Sequence, residues 1–189
     1  MKLRSLLFFV LLVTFAATGC LFSPDKPDDV VVPPAPELPP AVSANQLVAN
    51  FETAYNERNI EYYREVMSED YKFISVDGEN DYDYATDISI HERMFNEVAG
   101  EGGIVFDDIS VISINGVEVW QPIQSNDQHF GSFADGYYRP YDVSIDFNVA
   151  GLSLTYQVRG LVIFYVTTAM VDGEEIYYLL GQSDNTVGN

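Results

Sequence analysis

The chain has 189 residues, with 29 acidic and 9 basic side chains, two histidines and one cysteine, and a formal net charge of −20. An acidic surface of this kind repels phosphate backbones and anionic headgroups, which argues against nucleic acid as a partner. A single cysteine excludes an intramolecular disulfide, and two histidines distant in sequence leave no ligand set for zinc, so neither a metal nor a cofactor is expected.

Lys2 and Arg4 precede an apolar run from Leu6 to Phe15. That run is shorter than the about 20 residues needed to span a bilayer, and it has the layout of a signal peptide. Ala16-Ala17-Thr18-Gly19-Cys20 follows. This segment resembles the bacterial lipobox, which implies cleavage before Cys20, lipidation of its thiol and attachment to a membrane through the lipid. Leu21 stands where an aspartate would favour inner-membrane retention in the Gram-negative pattern. The resemblance therefore implies a lipid-anchored protein of the cell envelope, at the outer membrane if the organism has one. Loss of Lys2 and Arg4 leaves seven basic residues against 29 acidic ones, a net charge of −22.

Ser23 to Ala44 holds seven of the nine prolines. Proline fixes φ and lacks an amide proton, so the stretch cannot join a helix or a central strand. A polyproline-type spacer rises about 3.1 Å per residue, which gives these residues a reach of up to roughly 70 Å. The expected organisation is a signal peptide over 1–19, a lipidated cysteine and tether over 20–44, and one domain over 45–189, large enough to build its own core.

Ser43 and Gln46 match a capping box. Leu47, Val48, Phe51, Ala54 and Tyr55 then recur at helical spacing. Asn56 to Asn59 breaks that helix, and Asn59 caps a short second one with Ile60, Tyr63, Val66 and Met67 on its apolar face. Tyr71 to Val76 reads as a strand, and Asp77 to Asp87 as an acidic turn. A third helix is predicted from about Ile88 to Ala99, stopped by Gly100. Positions 90, 91, 94, 95 and 98 share one face of it, so His91 is expected to be buried. Burial disfavours the imidazolium and lowers a histidine pKa unless a carboxylate lies close by.

Beyond Gly103 the period becomes two. Ile104 to Ile114 and Val117 to Trp120 read as strands. Tyr141, Val143, Ile145, Phe147 and Val149 alternate with Asp142, Ser144, Asp146 and Asn148, as in a half-buried strand. Leu152 to Val158 continues as its hairpin partner, Gly160 is read as a bulge, and Leu161 to Val166 as a central strand. Asp172-Gly173 marks a hairpin turn, and Ile176 to Gly181 is the last strand.

Phe51 to Ile60, followed by Met67-Ser68-Glu69-Asp70-Tyr71-Lys72-Phe73, resembles the opening of the nuclear-transport-factor-two-like superfamily, which includes polyketide-cyclase-like (SnoaL-like) and ketosteroid-isomerase-like domains. The resemblance implies an α+β fold: a cone-shaped, curved antiparallel sheet packed on N-terminal helices, with a cavity. In the isomerases a carboxylate base ends the first strand. Ser75 occupies that place here, and Asp77 would need a shifted register. No catalytic residue is assigned on this basis.

The pocket residues proposed from the sequence are His91, Trp120, Tyr141, Asp146 and Tyr156, with Tyr137 and Tyr138 as further rim aromatics. Asp77, Glu79, Asp81 and Asp83 alternate as calcium ligands do. Tyr82 and Ile88 break the EF-hand pattern, so the segment reads as a solvated acidic loop. The expected function is binding of a small apolar ligand or a protein partner without catalysis. Two alternatives are an isomerase or cyclase using His91 with Asp146, and an envelope protein that forms a homodimer through its sheet.

Overall fold

A computed structural model describes residues 37–76, 81–100 and 103–185. Within the unit from Leu38 onward, three helices precede most of the strands: α1 (Ala44–Asn56), α2 (Ile60–Val66), β1 (Met67–Ile74), β2 (Tyr82–Asp83), α3 (Tyr84–Phe95), β3 (Phe106–Gly116), β4 (Gln121–Pro122), β5 (Tyr137–Val149), β6 (Thr155–Val171) and β7 (Glu174–Asp184). The strands form one curved sheet in the order β2-β1-β7-β6-β5-β3, with β4 beside the start of β5. The α+β cone architecture expected from the sequence is thus present. The sheet is mixed rather than purely antiparallel, because β1 runs parallel to β7.

Local chemistry explains the helix limits. Ser43 Oγ accepts from the Gln46 amide at 3.2 Å, whereas the Gln46 side chain turns away to Asn50 at 2.9 Å, so only half of the capping box forms. Asn59 Oδ1 accepts from the Glu61 and Tyr62 amides and starts α2. The third helix starts four residues earlier than expected, because Asp83 Oδ1 accepts from the Thr86 amide at 2.9 Å. It also stops before Gly100. Glu97 takes a left-handed φ of 57°, the Val98 amide reaches Arg93 O at 2.8 Å, and the Glu97 amide reaches Met94 O. This closes the helix with the hydrogen bonds usually made around glycine. Arg58, with φ 49°, ends α1 in the same way, with the Asn59 amide on Ala54 O at 3.0 Å.

The strands are longer than the sequence suggested at β5 and β6, and shorter between them. Met67 leaves α2 and opens β1. Val117 to Trp120 does not form a strand; Val117 and Val119 are exposed, and only Gln121–Pro122 pairs with Tyr137–Tyr138. Gly160 is not a bulge. It faces Val143 in an unbroken β5–β6 register, and the irregularity falls between Tyr165 and Val166, against β7. The Asp172-Gly173 turn is as expected, with φ of 50° and 88°.

The main core lies between the helices and the concave face. Tyr141, Val143 and Ile145 of β5 meet Phe51, Tyr55 and Tyr63 of α1 and α2. A smaller core lies on the other face of the sheet. There Phe130 stacks on Tyr165 with centroids 4.1 Å apart, and packs with Ile123 and Leu180. Asp127 accepts from the His129 and Phe130 amides and fixes the loop that carries Phe130.

Candidate functional site

His91 is buried, 8% exposed, where the spacing put it. Its surroundings are polar as well as aromatic. Tyr55 Oη lies 2.5 Å from Nε2, while Nδ1 lies 2.9 Å from Asp87 O and 3.1 Å from Asp87 Oδ2. Tyr63 Oη donates to Asp87 Oδ2 at 2.8 Å, and the Tyr63 ring stacks on the imidazole at 4.1 Å. Both Asp87 oxygens are acceptors, so Nδ1 carries a proton and donates to them, while Nε2 pairs with the Tyr55 hydroxyl. Burial, reinforced by Asp87, pushes the Tyr55 phenol far above its ordinary value. Burial likewise holds Tyr63 and Tyr71 well above theirs.

This network is closed. His91 lines none of five well-formed clefts among the described residues. The buried stripe of α3 is Asp87, Ile88, His91 and Phe95. It is rotated from the expected stripe, so Ile90 and Met94 flank the core instead of filling it.

The other sequence candidates separate into three places. Asp146 follows Ile145 on β5 and points to the opposite face of the sheet, where Gln157 Nε2 reaches its Oδ2 at 3.4 Å and its buried Oδ1 has no partner. It therefore does not meet His91. Tyr156 is 45% exposed beside Phe106, on the part of β6 that extends beyond its pairing with β7. Trp120 and Tyr141 do come together, with centroids 5.9 Å apart.

What joins Trp120 and Tyr141 is Arg139, which sequence reasoning missed. Its guanidinium carbon sits 6.0 Å from the Trp120 centroid and 5.0 Å from that of Tyr141. Asn45 Oδ1 accepts from Trp120 Nε1 at 3.0 Å and from Arg139 Nη1 at 3.3 Å. Gly116 lies flat beneath the guanidinium, where any Cβ would overlap it. Burial raises the Tyr141 phenol, and Arg139 acts against that rise. The available signal was alternation: positions 137, 139 and 141 share a strand face.

Two clefts among the described residues have mainly apolar or aromatic walls. One, of about 260 Å³, lies between α3 and the start of β3. Its side chains are Ile90, Met94, Val98, Ile104 and Phe106, with Arg93 as the one polar group. The other, of about 210 Å³, is walled by Trp120, Tyr137, Tyr177 and Asn45. Ser75 is bonded by its amide and hydroxyl to Asp81 Oδ1. Asp77, Glu79 and Cys20 lie outside the described residues. Among the described residues no three His, Cys, Asp or Glu side chains gather as metal ligands, and no helix is long and apolar enough to cross a membrane.

No family model matches the chain, and no curated protein does. Solved structures are similar in fold. A conserved protein from Planctomyces limnophilus DSM 3776 has a TM-score of 0.54 at 10% identity, over 74% of this chain and 89% of that one. An NTF2-like protein of unknown function from Prochlorococcus sp. NATL2A has a TM-score of 0.46 at 13% identity, over 78% and 95%. A hexachlorocyclohexane dehydrochlorinase (LinA, type 2) has a TM-score of 0.47 at 10% identity, over 75% and 81%. At 10% identity the first likeness speaks for the fold alone: a curved sheet wrapped on N-terminal helices, as the strand order and helix packing show directly.

Proposed function

We propose that the chain is a lipid-anchored protein of the cell envelope whose domain holds a small apolar ligand without transforming it. The observation that carries the reading is the α3–β3 cleft, a concave site with an apolar lining and a single polar side chain, Arg93. Sites for small molecules have this character, mostly apolar with a few polar groups that orient the ligand. Burial of ligand surface there contributes about 25 cal/mol per Å². Acid–base catalysis needs a titratable group within reach of the substrate. The His91–Asp87 pair is enclosed by Tyr55 and Tyr63, and Asp146 points away, so the enzyme reading lacks its residues.

A neutral naphthylamine probe tests the cleft. Its emission rises on entering an apolar site, and Met94→Glu removes most of that rise. Full emission from a folded Met94→Glu variant would sink the assignment.

A second reading has its own support. Leu152 and Leu154 just before β6, and Tyr156, Val158 and Leu161 on the part of β6 that has no β7 partner among the described residues, are exposed. An apolar, unpaired strand edge favours association with another copy. Sedimentation mass distinguishes the two readings, because a monomer removes the homodimer.

A further inference from the structure

We propose that the cleft between Trp120, Tyr137 and Tyr177 binds a small planar carboxylate, with Arg139 as its cation. The site is distinct from the α3–β3 cleft and shares no residue with it. It therefore stands or fails independently of the apolar-ligand reading.

The first ground is the state of Arg139. Its hydrogen bonds are made by Nη1 alone, at 3.3 Å to Asn45 and 3.5 Å to the Tyr141 hydroxyl, and both are long. Nε is buried and has no partner. No carboxylate is within ion-pair distance among the described residues, although the chain carries 29 acidic side chains. By contrast, Arg58 and Arg64 are each paired with glutamate. A guanidinium presents a planar fork that matches a carboxylate in two parallel hydrogen bonds, and its charge is permanent.

The second ground is how the cation is held. Trp120 and Tyr141 flank it, Gly116 supports it and Asn45 tethers it. A guanidinium fixed in this way gives up little rotamer freedom when a ligand arrives.

The third ground is the cleft itself. Arg139 is not itself a wall of the cleft; it adjoins two residues that are, bonded to Asn45 and set against Trp120, and it leaves the same face of β5 as Tyr137 two residues away. Asn45 spends its oxygen on Trp120 and Arg139, which leaves its amide N–H groups to donate. The Tyr137 and Tyr177 phenols add two more donors. Burial raises the Tyr177 phenol, with Glu175 and Tyr137 adding to the rise, so it stays protonated and donating at neutral pH. No acidic side chain lines the cleft, and Glu175 acts on Tyr177 from outside it. Aromatic walls with donors on several sides and no acidic wall select a flat anion. An aromatic carboxylate stacks on Trp120 while its oxygens meet Arg139, Asn45 and a tyrosine.

Trp120 is the only tryptophan of the chain, so its emission reports on this cleft alone. The full chain, in a non-aromatic detergent, is titrated with sodium benzoate and separately with benzamide at constant ionic strength. Benzamide has the same ring without the charge. The expected result is a saturable change in Trp120 emission with benzoate and a response about ten-fold weaker with benzamide, as for loss of a charge-assisted pair. Arg139→Gln weakens benzoate about ten-fold and leaves benzamide unchanged. If Arg139→Gln does not melt as the parent does, Asn45→Ala, at an exposed position, and Tyr177→Phe, at a half-buried one, serve in its place, each weakening benzoate several-fold. Met94→Glu, in the other cleft, leaves the benzoate titration as it was. The proposal is overturned if benzoate produces no saturable change, if the two probes titrate alike, or if every folded variant of the three binds benzoate as the parent does.

Discussion

A buried imidazole needs partners for both ring nitrogens, and His91 finds them on opposite sides, in Tyr55 and in Asp87. Glutamine at 91 offers one amide group to two separated partners, so the Tyr55 hydroxyl or the Asp87 carboxylate loses its bond. A buried group left unsatisfied costs about 1–3 kcal/mol. His91→Gln should therefore unfold at lower denaturant by that margin and leave naphthylamine binding intact; a change in probe affinity without a change in stability would contradict the closed network. Three buried tyrosines set the alkaline limit. The pKa values of Tyr55, Tyr63 and Tyr71 are raised above the unfolded value near 10. Their neutral forms are therefore favoured by folding, and their contribution is whole below pH about 10 and lost as pH climbs above it toward the folded values. Tyrosinate absorbance should rise together with unfolding above that pH, and the stability of Tyr63→Phe should fall less steeply there than that of the parent. Equal slopes would remove Tyr63 from the account. The burial of His91 was legible because its neighbours 90, 94 and 95 are apolar at helical spacing. That of Asp87 was not. An aspartate in an amphipathic pattern reads as outward, and what draws it inward is Tyr63, 24 residues earlier in the chain.

At the scale of elements, much of the fold could be read along the chain. The alternation from Tyr141 to Val149 gave the concave face of β5 directly, and Asn59 gave the start of α2. The parallel β1–β7 pair could not be read, because its partners lie about a hundred residues apart and pattern reports only which face is apolar. Trp120 and Tyr141 were legible as aromatics near one another in a sheet. Arg139 was hidden because a charged residue in an alternating strand is ordinarily solvated. The second core shows the same limit. Gln124 to Gly136 reads as a polar loop, yet it delivers Phe130 onto the outer face of the sheet, 1% exposed. That approach depends on Gly181. A Cβ there would lie 2.3 Å from the Phe130 ring and 2.7 Å from the Lys72 carbonyl oxygen. The ring has Tyr165 on its other side, and the carbonyl belongs to the parallel neighbour strand, so neither yields cheaply. Burial, with Asp127 adding to it, pushes the Tyr165 phenol up to about 12, as expected beneath a well-sealed loop. Gly181→Ala should cost about 1–3 kcal/mol, the usual penalty of overpacking. It should also speed amide exchange in β7 and proteolysis between Gln124 and Gly136. A variant as stable and as protected as the parent would show that the ring has room to move.

For the molecule as a whole, charge and anchor bear on the same question. If the proposed cleavage removes Lys2 and Arg4, seven basic residues face 29 acidic ones, and anionic headgroups repel such a surface. Electrostatics then opposes contact with the bilayer, and among the described residues no helix can span it. If the chain is held at a membrane, the proposed lipid on Cys20 carries the attachment. One acyl chain gives only marginal binding, whereas two or more make it stable, so the anchor implies more than one acyl chain. The consequence is all-or-none behaviour. Cys20→Ala should take up no labelled palmitate and should leave the membrane fraction at low salt as completely as at high salt, since no attraction remains to be screened. Its domain should melt as the parent does, because Cys20 precedes the unit that begins at Leu38. A Cys20→Ala chain that still sediments with membranes, or is released only by salt, would place the attachment in the folded domain and end the lipoprotein reading.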